Sequence, residues 1–164
     1  MSMIGELTHF LGLHIRQQDS GVFLSQSKYA KNLVMKFGLE SAIFVRTPMS
    51  PNVKLTVDLL GKSVDSSLYI SMIGSFLYLT TSRPDISYSV GVCATYQANP
   101  KESHMIALKR IIKYVKTTTK FGVWYNKDTN DVLAEYSNAD WAGNADDRKS
   151  TSGGCFYVGN NLVS

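Results

Sequence analysis

Apolar residues in this chain are spaced for strands at both ends and for helices between, and this order limits the fold more than any other feature. Strand blocks on either side of a helical block argue for an α+β fold. In "HFLGLHIRQQDSGVFLS", Phe10, Leu11, Leu13 and Ile15 precede a polar turn at Asp19, Ser20 and Gly21. Val22, Phe23 and Leu24 then form a return strand, so the spacing predicts an N-terminal hairpin.

Helical spacing begins in "SQSKYAKNLVMKFG". Tyr29, Leu33 and Phe37 recur at four-residue steps beside Ala30 and Val34; Ser25 or Ser27 is placed to cap the start, and Gly38 suits a left-handed end. Residues 41–64, with Pro48, Pro51 and Gly61, read as a surface connection. Asp65 and Ser66 open a second helix carrying Tyr69, Met72, Ile73, Phe76 and Leu77 on one side. Pro84 suits the first turn of the next helix, Asp85 sits near its positive end, and Ile86, Val90, Cys93 and Ala94 are its apolar residues. After Asn99 and Pro100, a last helix over 101–117 buries Met105, Leu108, Ile112 and Val115. The spacing then returns to strands. "FGVWY" (121–125) and "VLAEY" (132–136) flank a polar turn and read as a hairpin, and "GGCFYVG" (153–159) reads as a further strand.

At 164 residues, 44% hydrophobic and 18% charged, the chain suits one globular domain or pieces of two. The net charge of +4 is mild, but its distribution is not. Residues 101–120 hold six Lys or Arg against Glu102, and residues 126–148 hold six Asp or Glu against Lys127 and Arg148. The basic stretch favours a polyanion and the acidic one a metal; both also read as solvated faces. Cys93 and Cys155 have no paired spacing and read as reduced, intracellular thiols. His9, His14 and His104 form no ligand pattern, since residues 9 and 14 of one extended segment face opposite sides. No signal-peptide pattern is present, and the longest near-apolar run, residues 68–79, falls short of the roughly 20 needed to span a bilayer. No membrane contact is expected.

Five runs occur in order: "FLGLHI…GVFLSQSKYAKNLV", "TPMS", "YISMIGSFLYLTTSRPDISYSVGV", "NPKESHMIALKRIIKYVKTT" and "YSNADWAGNADDRKSTSGG". Together they resemble the Pol polyprotein of copia-type LTR retrotransposons over nearly the whole chain. The resemblance implies the end of a reverse transcriptase followed by the start of its ribonuclease H. Residues 1–24 then resemble a primer-grip-like hairpin at the end of the palm. Residues 25–120 resemble a thumb-like helical region, and 121–164 the first strands of an incomplete ribonuclease H-like sheet.

The resemblance also implies what these residues do not supply. The family's polymerase motif, Tyr-x-Asp-Asp, precedes the segment seen here, and two-metal chemistry needs such carboxylates. The family's first ribonuclease H strand reads like Tyr-Ser-Asp-Ala-Asp. Here Asn138 holds the first carboxylate position and Asp140 remains nearby. A neutral amide with one acceptor oxygen weakens a divalent-metal site. The family's Lys-Gly-Thr is replaced by Lys116, Thr117 and Thr118. The expectation is a chain without catalytic residues, metal or cofactor of its own, from a magnesium-using parent family of RNA-directed DNA polymerase and ribonuclease H.

Lys109, Lys113 and Lys116 recur on one helical face, and Lys120 extends the row if the helix runs on. Under the resemblance they track phosphates, giving weak binding to nucleic acid or an RNA/DNA hybrid; otherwise they are a solvated face. Arg83 is expected to pair with Asp85 or another local acid rather than with phosphate. Trp124, Tyr125 and Trp141 are expected in the core, Tyr69, Tyr78 and Tyr88 in helix packing, and "DDRKS" (146–150) in a solvated turn. Two alternatives stay open: a piece of an active polymerase–ribonuclease H completed by other polyprotein segments, and a protein-interaction module that associates through an exposed strand edge.

Overall fold

The computed structural model describes residue 5 and residues 7–50, 54–140, 146 and 151–163, with side chains at 138–140 and 151–152 outside the description. The element order is β1 (His9–Phe10), β2 (Leu13–Gln18), β3 (Gly21–Ser25), α1 (Ser27–Lys36), α2 (Ser66–Thr80), a 3-10 turn (Pro84–Ile86), α3 (Ser87–Ala94), α4 (Glu102–Thr117), β4 (Gly122–Asn126), β5 (Leu133–Asp140), β6 (Thr151–Val158) and β7 (Asn161–Leu162). The architecture is mixed, with four helices and two antiparallel sheets, in agreement with an α+β fold.

The helices form where apolar spacing and end signals agree. Asp65 caps α2 by accepting from the amides of Ser67 at 2.8 Å and Leu68 at 3.2 Å. Gly38 follows α1 at φ +64°, the left-handed region that glycine enters without steric cost. The expected serine cap of α1 is not made. Gln26 holds that position, and its side chain instead accepts from Ser82 Oγ at 2.8 Å and donates to the Tyr78 carbonyl at 3.3 Å.

One core joins the four helices. It holds Ala30, Leu33 and Val34 from α1; Tyr69, Met72, Ile73, Phe76 and Leu79 from α2; and Ile86, Val90 and Cys93 from the α3 region. From α4 come Met105, Leu108, Ile111, Ile112 and Val115. Leu77 is not among them and lies 53% exposed, because Leu79 completes the buried face of α2. Only Tyr69 of the three helical tyrosines is buried. Tyr88 is exposed, and Tyr78 reaches off α2 to donate to the Leu11 carbonyl at 2.7 Å.

The first sheet has the order β1-β2-β3-β4. The expected hairpin between 121–125 and 132–136 does not form. β4 instead pairs with β3, with Phe23 opposite Trp124 and Leu24 opposite Val123. The N-terminal hairpin offers β4 a full-length antiparallel edge, and the Thr118–Phe121 turn aims the chain back at it. Trp124, expected in the core, is partly exposed on this sheet, and Tyr125 is half-buried.

The second sheet has the order β5-β6-β7, with Leu133 opposite Val158 and Asp140 opposite Thr151. Asn161 joins the two sheets. Its Oδ1 accepts from the Asn126 amide at 2.7 Å, and its Nδ2 donates to the Asn126 carbonyl at 2.9 Å. No helix among the described residues is long and apolar enough to cross a membrane.

Candidate nucleic-acid interface

α4 positions the lysine row, and its two ends are fixed by different groups. At the start, His104 Nδ1 accepts from the Lys101 amide at 3.0 Å, so an imidazole satisfies a backbone donor next to the helix. The other ring nitrogen lies 2.7 Å from the Thr56 carbonyl, and the ring stacks on Tyr96 at 4.2 Å. Nδ1 as acceptor and Nε2–H as donor define one neutral tautomer. Ser103 Oγ donates to Asp58 at 2.6 Å and Lys101 Nζ to Ser63 Oγ at 3.0 Å, so neighbouring side chains tie the 54–63 segment to this helix end.

At the other end sits Arg83, which is only 2% exposed. Its Nε and Nη2 donate to the two carboxylate oxygens of Asp85 at 2.8 and 2.7 Å. Its Nη1 donates to the Thr118 carbonyl at 2.8 Å and its Nη2 to Thr118 Oγ1 at 2.7 Å. The guanidinium also lies over Tyr114 and Phe121, at 5.6 and 5.4 Å from the ring centroids. The expected pairing with Asp85 is present, and the geometry shows why Arg83 is not offered to a phosphate: its donors are committed and it is buried. Burial alone would raise the Asp85 carboxyl, but hydrogen bonds and charge from Arg83, with the Tyr114 hydroxyl, hold it below the usual carboxylate value. Burial, then the Asp85 carboxylate, pushes the Tyr114 phenol up.

α4 ends at Thr117, so Lys109, Lys113 and Lys116 lie on the helix, while Lys120, expected to extend the row, sits in the turn just beyond it; the four lysines separate into two groups. Lys109 and Lys120 are exposed and Lys113 is half-buried; among the described residues no hydrogen bond or ion pair engages any of them. Lys116 instead donates to the Ala42 carbonyl at 2.8 Å. Arg110 acts alongside it, donating to the Thr47 carbonyl at 3.2 Å and Thr47 Oγ1 at 3.0 Å. The segment read as a surface connection is therefore strapped to α4 by two of its cations. Sequence spacing shows which residues share a helical face, but not that one of them reaches a carbonyl 74 positions away.

Asn138 and Asp140 are placed by backbone only. Asn138 lies opposite Gly153, and Asp140 opposite Thr151, in the β5–β6 pair. The readings for their side chains, for Trp141 and for Asp147–Ser150 lie outside the described residues. Asp146 accepts from the Val57 amide at 2.7 Å. Among the described residues no three His, Cys, Asp or Glu side chains converge on one point.

No family model matches the chain, and no solved structure matches it. Curated relatives do. The retrovirus-related Pol polyprotein from transposon RE1 of Arabidopsis thaliana is 38% identical over 159 residues, covering 97% of this chain and 11% of that protein. The Pol polyprotein from transposon TNT 1-94 of Nicotiana tabacum is 30% identical over 173 residues, covering 100% of this chain and 13% of its own length. An uncharacterized mitochondrial protein of Arabidopsis thaliana is 34% identical over 164 residues, covering all of this chain and 68% of itself. The chain thus spans about a tenth of the transposon polyproteins it matches. The order of motifs, the shared length and these identities together place it: the chain belongs to the family of retrovirus-related Pol polyproteins from copia-type transposons and corresponds to one segment of them.

Proposed function

We propose that this piece holds nucleic acid for its polyprotein: α4 tracks the phosphates of an RNA/DNA hybrid, and the chain's own residues carry out neither polymerisation nor hybrid cleavage. The parent family is enzymatic, with reverse transcriptase and ribonuclease H domains. In this reading, the helices correspond to a thumb-like region and the second sheet to the start of a ribonuclease H-like sheet.

The observation that carries the proposal is a set of unneutralised cations, Lys109 and Lys113 on α4 and Lys120 in the turn just after it. Arg83–Asp85 is the ion pair among the described residues, and it leaves Lys109, Lys113 and Lys120 without acidic partners there. Cations held on a rigid helix and at its end bind a polyanion by releasing its counterions, and such binding weakens as salt rises. The Asn138 and Asp140 pair on β5 does not fit a two-metal centre. Asn138 and Asp140 offer one amide oxygen and one carboxylate, where such chemistry needs several carboxylates to balance two divalent ions. Magnesium is accordingly assigned to the parent polyproteins and not to a site in this chain.

A salt titration of the full chain against an RNA/DNA hybrid tests the proposal. Replacing Lys109, Lys113 and Lys120 with Ala is expected to lower the steepness of the log-affinity plot by about 2–3, since each phosphate contact in a duplex contributes about 0.9. An unchanged slope and affinity refute the assignment. A second reading rests on β5, whose outer edge has no strand partner among the described residues. Other polyprotein segments could pair there and complete an active sheet. Magnesium-dependent hybrid cleavage that disappears in Asp140→Ala would establish that reading and overturn the first.

A further inference from the structure

His9 and His14 face each other. The turn at Leu11 and Gly12, at φ +47° and +78°, reverses the chain between them and makes the two histidines register partners in β1 and β2. The Ile15 amide donates to the Thr8 carbonyl at 2.9 Å, which marks the adjacent pair as the hydrogen-bonded one. His9 and His14 are therefore a non-hydrogen-bonded pair, the antiparallel position that brings opposite side chains nearest. Their ring centroids are 4.9 Å apart, with the planes inclined at 39°.

The hairpin that carries them is held from outside. Tyr78 donates to the Leu11 carbonyl, and a Cβ at Gly12 would collide with the Tyr78 hydroxyl, so the turn is seated against α2. His9 Nδ1 lies 3.2 Å from Thr8 Oγ1. With Nδ1–H donating to that hydroxyl, the lone pair of Nε2 is left for a metal, the arrangement by which an outer partner orients a ligating imidazole. His9 is exposed and His14 half-buried, so a cation reaches both from solvent. His104 is already engaged at both ring nitrogens.

We infer that His9 and His14 form a two-imidazole clip for a divalent transition metal of the zinc type, with water in the remaining positions. Imidazole suits zinc, copper and nickel, and two ligands on neighbouring strands bind only while the strands are paired. β1 is a two-residue edge strand, so a metal bridging it to β2 fixes it in register. Metal that binds only the paired form also stabilises that form by mass action.

The test is a zinc titration of the full chain by calorimetry, with histidine ring resonances followed by NMR. One saturable site is expected, moving the signals of His9 and His14 together and leaving those of His104. His9→Ala and His14→Ala should each weaken binding about tenfold or more, with the zinc-free urea midpoint of His9→Ala unchanged to show that the fold is kept. Cys155→Ser should bind as the parent does. Zinc bound with undiminished affinity after either histidine is removed, signals moving at only one of the two rings, or no saturation below millimolar zinc would each overturn the clip.

Discussion

Arg83 and Thr118 are joined by two hydrogen bonds, one to the carbonyl at 2.8 Å and one to the hydroxyl at 2.7 Å, across 35 positions of sequence. Thr118 is the residue at which α4 ends, so a buried guanidinium satisfies a carbonyl at the helix end. The same contact sets the direction of the turn that leads into β4. Through Thr118, the loop before α3 decides how the second half of the chain meets the first sheet.

Removing that guanidinium should be costly. Arg83→Ala leaves Asp85 without its cation and Thr118 without two donors. A loss on the order of 3 kcal/mol is expected, toward the low end for breaking a buried pair, because the Asp85 side chain stays 34% exposed and solvent takes up part of its charge. Arg83→Lys keeps the charge but not the fork, and should recover only part of this. Urea unfolding checks both, with a lower midpoint at unchanged slope as the expected result.

Acid should act through the same pair. The folded carboxyl of Asp85 lies below its ordinary value, so between the two values the unfolded chain binds more protons. The stabilisation from this group is therefore full above the ordinary carboxylate value of about 4 and is lost as pH falls through the lowered folded value. Asp85→Asn should be less stable than the parent at neutral pH, and the gap should close below about pH 4. A gap that stays constant down to pH 3 in urea melts would remove the linkage.

The two cysteines should differ sharply toward alkylating reagents. Burial pushes the Cys93 thiol up to about 12, although the Tyr69 hydroxyl opposes that shift, whereas Cys155 is half-buried on β6. The thiolate is the reactive form. Mass spectrometry after iodoacetamide treatment at pH 8 should find Cys155 modified in the native chain and Cys93 only after unfolding.

The lysines on α4 and just after it should divide by function. Lys109→Ala and Lys120→Ala should leave stability within about 0.5 kcal/mol, as exposed surface changes do. Lys116→Ala removes the hydrogen bond to Ala42 and should speed proteolytic cleavage within residues 39–50. Limited proteolysis beside urea melts separates the two outcomes.

Much of this was legible in the amino-acid order. The stripe Met105, Leu108, Ile112 and Val115, the cap at Asp65, the left-handed Gly38 and the Arg83–Asp85 pair all depend on residues a few positions apart. Spacing and end chemistry act over one or two turns, so the sequence alone determined α1, α2 and α4 and the ordered motifs that mark the family. It did not determine strand partners. β4 could have folded back on 132–136 or joined β3, and nothing local distinguishes the two; the closed helical core brings residue 118 to Arg83 and the β3 edge within reach. Nor could spacing reveal that His9 meets His14, because the turn between them is held by Tyr78 from α2. These choices belong to tertiary structure for one physical reason: each depends on bringing together groups far apart in the chain, and only a packed core compensates the chain entropy that such closure costs.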